Sequence, residues 1–286
     1  MHMGSLYLVG TPIGNLGDIT LRALDTLRAV ALIVAEDTRR AGLLLKHFGI
    51  DKPILSLFEH NEAARIERVL AALESGDVAL ISEAGMPGLS DPGYDLIRAA
   101  IERGIAVTPI PGPTAAVSAL VASGLPTDAF VFLGFLPRRS ADRRRLLRDV
   151  ARERRSLVAY EAPHRLAEAL ADVEDVLGDR SIAVARELTK VHEEIWRGTV
   201  SGARQRFAGE ALGEITLVIA GAPALQAWSE ADVRRALEQA LQDGASLADA
   251  AREVATLSGW PRRAIYQIGL QAPKEQDTDR HHDRLG

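Results

Sequence analysis

Two charged pairs stand where acid–base chemistry would need them. Glu36 and Asp37 follow the short apolar run Leu32–Ala35, and Glu187 with Lys190 follows Ile182–Ala185, so both sit past an expected strand, where an α/β sheet presents its ligands. Glu36 is a candidate base and Lys190 a candidate electrostatic partner for a developing oxyanion. The competing role for these groups is ion pairing with Arg39, Arg40 or Arg186, as charged clusters commonly do. His164 is a further candidate base, although a lone histidine before an arginine fits a phosphate or surface contact better. No His, Asp or Glu grouping has metal-ligand spacing, so no metal is expected, and the absence of cysteine excludes thiol catalysis and disulfides.

Three small-residue segments could cradle a ligand. Gly10-Thr11-Pro12-Ile13-Gly14-Asn15-Leu16-Gly17 joins an expected strand to an expected helix. Its G-x3-G-x2-G spacing is neither the dinucleotide fingerprint nor a P-loop, so it reads as a ligand-binding turn or as plain turn geometry. Ser82 to Gly93 is a long loop with little helix or strand preference, and such loops usually have a job. Within it Glu83 and Asp91 could bind ribose hydroxyls, order the loop or cap the helix near Tyr94; capping or ordering is the favoured role for Asp91. The small side chains of Pro109 to Ala119 would let a flat ligand lie against the backbone, or would allow close helix packing.

The elements that must position these residues alternate. Apolar runs at Leu6–Val9, Leu32–Ala35, Ile54–Leu57, Val78–Ile81 and Ala106–Ile110 are separated by amphipathic segments long enough for helical crossovers, which predicts a mostly parallel sheet. After Pro111-Gly112-Pro113 and a small-residue helix from Thr114 to Ser123, a second α/β domain with a mixed sheet is expected. Its strands are Phe130–Phe135, Leu157–Tyr160, Ile182–Ala185, Glu194–Val200 and Ile215–Ile219, the last two close enough in sequence to suggest antiparallel pairing. Beyond Pro223 the pattern is purely helical, with S-x-x-D starts at Ser229 and Ser246 and Pro261 suited to a first turn, the outline of a helix-turn-helix-like module. The expected organisation is thus an N-terminal α/β domain at 4–113, a helix and linker at 114–129, a second α/β domain at 130–223, an all-α module at 228–271 and a disordered tail at 272–286.

Bulk properties narrow the class. The 286 residues are 47% hydrophobic and 26% charged, ordinary globular values, and the longest apolar run is far below the ~20 residues of a membrane span. With no signal-peptide pattern, a cytoplasmic protein without membrane association is expected. The net charge of -5 gives no global attraction to nucleic acid, yet Arg138, Arg139, Arg143, Arg144, Arg145, Arg148, Arg152, Arg154 and Arg155 crowd one segment. Arginine outnumbers acid there, which favours phosphate contacts over a solvated helix face.

Several of these motifs together resemble a known family. Leu6 to Gly17, Ala35-Glu36-Asp37-Thr38-Arg39-Arg40, Ser82 to Gly93, Pro111-Gly112-Pro113-Thr114, Tyr160-Glu161-Ala162-Pro163-His164-Arg165 and Ala185-Arg186-Glu187-Leu188-Thr189-Lys190 are similar, in order, to the tetrapyrrole methylase superfamily, the class III S-adenosylmethionine-dependent methyltransferases. Within it the chain resembles the RsmI family of bacterial 16S ribosomal RNA cytidine 2'-O-methyltransferases, and the helical C-terminus looks like that family's extension. The resemblance implies S-adenosyl-L-methionine folded in a cleft between the two α/β domains. The implied contacts are Gly10 and Pro12 in the first turn, Ser82, Glu83, Ala84 and Gly85, then Thr114 and Ala115, and Leu133 and Tyr160 in the second domain. It also implies a homodimer acting on ribosomal RNA. The residues expected to hold that RNA, read from the arginine cluster and from the start of the last helix, are Arg138, Arg139, Arg143 and Arg144, and Arg262 and Arg263. Docking on the enzyme or a second subunit is the alternative role for the C-terminal helices. The alternative functions are the same fold acting on a tetrapyrrole or a modified protein residue, and a non-catalytic ribosome-associated RNA-binding protein.

Overall fold

The computed structural model describes residues 4–57, 62–209, 212–223 and 228–271, so the expected tail at 272–286 lies outside the described residues. They fall into two compact units, divided after Ala222. In the first unit β1 (Leu6–Val9), β2 (Leu32–Ala35), β3 (Ile54–Ser56), β4 (Val78–Ile81) and β5 (Val107–Ile110) form an all-parallel sheet in the order β3-β2-β4-β1-β5.

The continuous apolar runs follow from burial on both faces. Alternate residues of β2 and β4 divide between two cores: Val34, Val78 and Leu80 meet α3 (Glu62–Leu73) and α4 (Tyr94–Glu102), while Ile33, Ala35, Ala79 and Ile81 meet α1 (Leu21–Ala29) and α2 (Thr38–His47). Pro109 is accommodated because β5 is an edge strand, where a missing N–H costs no ladder bond.

The second sheet contains β6 (Phe130–Phe135), β7 (Ser156–Glu161), β8 (Ser181–Arg186), β9 (Glu194–Thr199) and β10 (Ile215–Ile219), in the order β6-β7-β10-β8-β9. It is mixed, as expected: β6 and β7 are parallel and the other neighbours antiparallel. The expected pairing of the last two strands is corrected. Both pair with β8, one on each side, because α8 (Val200–Arg206) intervenes between them and carries the chain across β8.

On one face of this sheet lie α6 (Ser140–Asp149), α7 (Leu166–Leu177) and α8; on the other lies α5 (Ala115–Ser123). Although α5 directly follows β5 of the first sheet, its Ala116, Ala119 and Leu120 pack on Val158, Ala183 and Val218 of the second. Ile13 and Leu188 join the same cluster, so the turn after β1 and the loop after β8 share one apolar core.

The second unit comprises α9 (Glu230–Gln242), α10 (Leu247–Ser258) and α11 (Arg262–Gln271) around Val233, Leu237, Ala250, Val254 and Ile265. Ser229 and Asp232 form a reciprocal capping box, Ser246 caps α10, and the Trp260 indole N–H donates to the Trp228 carbonyl at 2.9 Å.

Gly10 is fixed by close backbone approach at the end of β1. A Cβ there would lie 2.7 Å from Gly112 Cα and 2.8 Å from Met86 Sδ. Gly10→Ala is therefore expected to destabilise the chain by about 1–3 kcal/mol, the usual cost of overpacking, measured by urea denaturation; an unchanged midpoint would show that this contact is soft.

Candidate active site

The carboxyl ends of β1, β2 and β4 carry the turn Gly10–Gly17, the pair Glu36-Asp37 and the loop Ser82–Gly93. Two backbone bonds join the first turn to the third: Thr11 N–H donates to Gly85 O at 2.9 Å, and Gly85 N–H to Thr11 O at 3.1 Å. Thr11 is buried, and its hydroxyl faces the Ser82 and Gly85 carbonyls. On the other side of the turn, Gly14 leaves no room for a side chain, since a Cβ would lie 2.5 Å from Lys190 Cγ.

Two cavities open on this scaffold. The first, of about 360 Å³, is bordered by Pro12, Ser82, Glu36, Asp37, Arg40 and Lys190. The second, of about 350 Å³, is bordered by Gly85, Asp91, Thr114, Ala115, Phe135 and Tyr160. Ile13, Glu83, Ala84 and Glu214 line both, which makes them a common wall. Tyr160 accepts a hydrogen bond from the Ala116 N–H at 3.3 Å, and burial pushes its phenol above the usual tyrosine range.

Ten of the twelve residues expected to act in catalysis or cofactor binding line one cavity or both. Gly10 and Leu133 line neither. Gly10 is buried against Gly112, beneath the turn, and Leu133 packs into the core shared with α6 and α7. His164 sits exposed in the short turn Pro163–Arg165 and also lines neither cavity.

The charged groups of the first cavity differ in how committed they are. Asp37 caps α2, accepting from the N–H groups of Arg39 and Arg40, and the Arg39 N–H bond holds its carboxyl below the usual range. Arg40 pairs with Glu83. Lys190 donates to Glu187 at 2.8 Å and to Glu214 at 3.2 Å. Burial opposes its charge, but the Glu187 hydrogen bond and the Glu214 carboxylate outweigh that and lift its pKa, so the ammonium stays protonated. The loop that presents it is strained: Glu187 and Thr189 both adopt left-handed backbone, at φ 52° and 67°. Such strain persists where surrounding contacts over-determine a conformation, and it clusters at functional sites.

Asp91 does not cap α4. Gly93 is the N-cap, and no side chain caps that helix, which leaves the Asp91 carboxyl lining the second cavity. Burial first, then the Glu36 and Glu83 carboxylates, push its pKa up to about 6, against a hydrogen bond from Ser82. Glu214, at the head of β10, had no signal in the sequence; antiparallel pairing beside β8 brings it to Lys190.

The arginine segment separates into two kinds of residue. Arg138 and Arg139 are exposed, without an ion pair among the described residues. Arg143, expected to face RNA, is instead buried at 1% exposure: its guanidinium donates to Asp172 at 2.7 Å and to the Pro137 carbonyl at 3.2 Å. It fastens α6 to α7 and is unavailable to a phosphate. Arg144 shares Asp172 and also pairs with Asp175 at 2.8 Å. In the second unit Arg262, Arg263 and Tyr266 are exposed at the start of α11. Among the described residues no group of three or more His, Asp or Glu could hold a metal ion, and no helix is long and apolar enough to cross a membrane.

Residues 5–203 match the family model described as Tetrapyrrole (Corrin/Porphyrin) Methylases, and the chain belongs to that family. Residues 228–273 match the RsmI C-terminal HTH domain. The chain is 48% identical over 274 residues to "Ribosomal RNA small subunit methyltransferase I" of Synechocystis sp., covering 94% of this chain and 98% of the relative. The protein of that name from Escherichia coli O157:H7 is 46% identical, covering 94% and 95%. That from Thermotoga maritima is 51% identical over 221 residues, which are 77% of this chain but 99% of the relative. Among solved structures, uroporphyrin-III-C-methyltransferase from Thermus thermophilus superposes with a TM-score of 0.52 at 23% identity, covering 75% of this chain and 94% of that one. Diphthine synthase gives 0.57 at 15% identity, covering 76% and 90%; both share the fold.

Two outcomes follow from these environments. Arg143→Met, which strands Asp172 with fewer partners, is expected to cost about 3 kcal/mol in chemical denaturation and to leave the salt dependence of RNA binding unchanged; a flatter salt slope would return Arg143 to the RNA surface. For Asp91 the folded-state pKa lies above its ordinary 3.8, so the folded protein keeps a proton that the unfolded chain releases. Stability from this group is present below that value and is lost as pH rises through about 6. Asp91→Asn is therefore expected to raise Tm near neutral pH and to lose that advantage in acid; a Tm difference independent of pH would contradict the assignment.

Proposed function

We propose that the chain transfers a methyl group from S-adenosyl-L-methionine to the ribose 2'-oxygen of a cytidine in 16S ribosomal RNA of the small subunit. The observation that carries this reading is the pair of cavities with a common wall at Ile13, Glu83, Ala84 and Glu214. Methyl transfer needs a donor pocket and an acceptor pocket in contact, with reacting atoms about 3–3.5 Å apart and in line. The second cavity suits the donor: the small residues Gly85, Thr114 and Ala115 admit an adenosyl group, and Tyr160 supplies a polar contact. When bound, S-adenosyl-L-methionine supplies an electrophilic methyl on a positively charged sulfur.

The first cavity receives the acceptor nucleotide. Glu36 takes the hydroxyl proton, and the protonated Lys190, steadied by Glu187 and Glu214, favours the developing alkoxide. Exposed Arg138, Arg139, Arg262 and Arg263 contribute phosphate contacts, with Arg144 partly engaged by Asp172. With domain limits at 113, 129 and 223, the donor cavity lies between the two α/β domains, a reading supported by lining residues such as Gly85 and Tyr160 from either side. The chain works in the cytoplasm as a homodimer; Val117 and Val121, exposed on the apolar helix α5, support a covered face there. The relatives named for small-subunit ribosomal RNA span nearly the whole chain, whereas the uroporphyrin enzyme shares only the fold, which favours RNA over a tetrapyrrole.

The test is to incubate the chain with labelled S-adenosyl-L-methionine and small subunits from unmodified cells, then map the label by mass spectrometry. Label on one cytidine ribose is expected; label on a base, or none, would overturn the reading. Glu36→Gln and Lys190→Met should each lower kcat by about 100-fold with little change in KM. A fall in affinity alone would remove them from the chemistry.

A further inference from the structure

Carboxylates and aromatic rings line the second cavity, and among its described lining residues there is no lysine, arginine or histidine. Three of its four acids have a cation partner: Glu83 pairs with Arg40, Glu161 with Arg165, and Glu214 with Lys190. Asp91 is the fourth, and no described cation pairs with it. Freed from helix capping, it lies near enough to Tyr160 for its charge to act on the phenol. The Phe135 ring is 5.3 Å from that of Tyr160, centre to centre. A partly buried carboxylate with no countercharge among the described residues, in a cavity that two aromatic rings also line, attracts a cation by charge, and the rings can add their quadrupole.

We propose that Asp91, backed by the rings of Tyr160 and Phe135, makes this cavity prefer the sulfonium form of the cofactor to its demethylated product. The inference rests on the assignment of the second cavity to S-adenosyl-L-methionine. The product, S-adenosyl-L-homocysteine, has the same adenosine and the same amino acid but a neutral thioether sulfur. Hydrogen bonding and apolar burial are common to both ligands, so discrimination falls to charge. A carboxylate held among Glu36 and Glu83 in a partly buried setting is costly, and a cation relieves that cost where a thioether does not. Asp91 thereby favours loading of the methyl donor and departure of the spent product.

Titration calorimetry on the full chain tests this with three ligands: S-adenosyl-L-methionine, S-adenosyl-L-homocysteine, and an analogue bearing an ammonium in place of the methylsulfonium. Near neutral pH the wild-type chain is expected to bind both cationic ligands roughly tenfold more tightly than the thioether. In Asp91→Asn that preference should vanish, with the thioether Kd changed by less than about twofold. Equal weakening of all three ligands would reduce Asp91 to a loop-ordering role and overturn the proposal. Equal wild-type Kd values for donor and product would also overturn it, while leaving the cavity assignment standing. Binding of none of the three would remove the assignment, and the proposal with it.

Discussion

The paired hydrogen bonds between Thr11 and Gly85 tie the turn after β1 to the loop after β4, and both cavities are built on that join. With the turn fixed, Ile13 reaches the core beneath the second sheet, and Gly14 lets the Lys190 loop settle against it. Residues distant in sequence then border one small space. The Gly10 to Gly112 contact sets the height of the turn, so two glycines that line neither cavity decide where the cavity-lining residues stand.

Charge is distributed unevenly over this frame. The first cavity has cations set among its acids, Lys190 against Glu187 and Glu214 and Arg40 against Glu83, which suits a nucleotide with both phosphate and donor groups. The second is acidic and aromatic, which suits a cationic donor. The shared acids Glu83 and Glu214 are neutralised from the side of the first cavity, leaving Asp91 to set the field in the second. Its raised pKa near 6 records a stability cost of the kind that functional sites commonly carry.

Much of the fold was legible because burial on both faces leaves continuous apolar runs, and because helix starts such as Ser229 and Ser246 have local signatures. What escaped was set by distant contacts. The partners of β9 and β10 depend on a crossing by α8 that local pattern does not encode. Arg143 reads like its neighbours in sequence, yet its position on α6 turns it inward to Asp172, one of a helix that begins more than twenty residues on. Asp91 reads as a cap or a loop-ordering residue because acids favour helix starts and turns, and of these the structure removes the cap, since Gly93 at φ 120° already opens the helix. Residue types and loop placement thus pointed to most of the residues that border the two cavities, while which cavity each borders required the tertiary structure.

The proposed reaction has donor and acceptor in neighbouring cavities that meet at the wall formed by Ile13, Glu83, Ala84 and Glu214. Its most direct test is an experimental structure of the chain with S-adenosyl-L-homocysteine and a short single-stranded RNA containing the target cytidine. The expected result is adenosyl density beside Thr114, Ala115 and Tyr160, with the ribose 2'-oxygen facing the sulfur from the side of Glu36 and Lys190. Adenosyl density in the first cavity, or a cytidine seated away from Glu36 and Lys190, would contradict it.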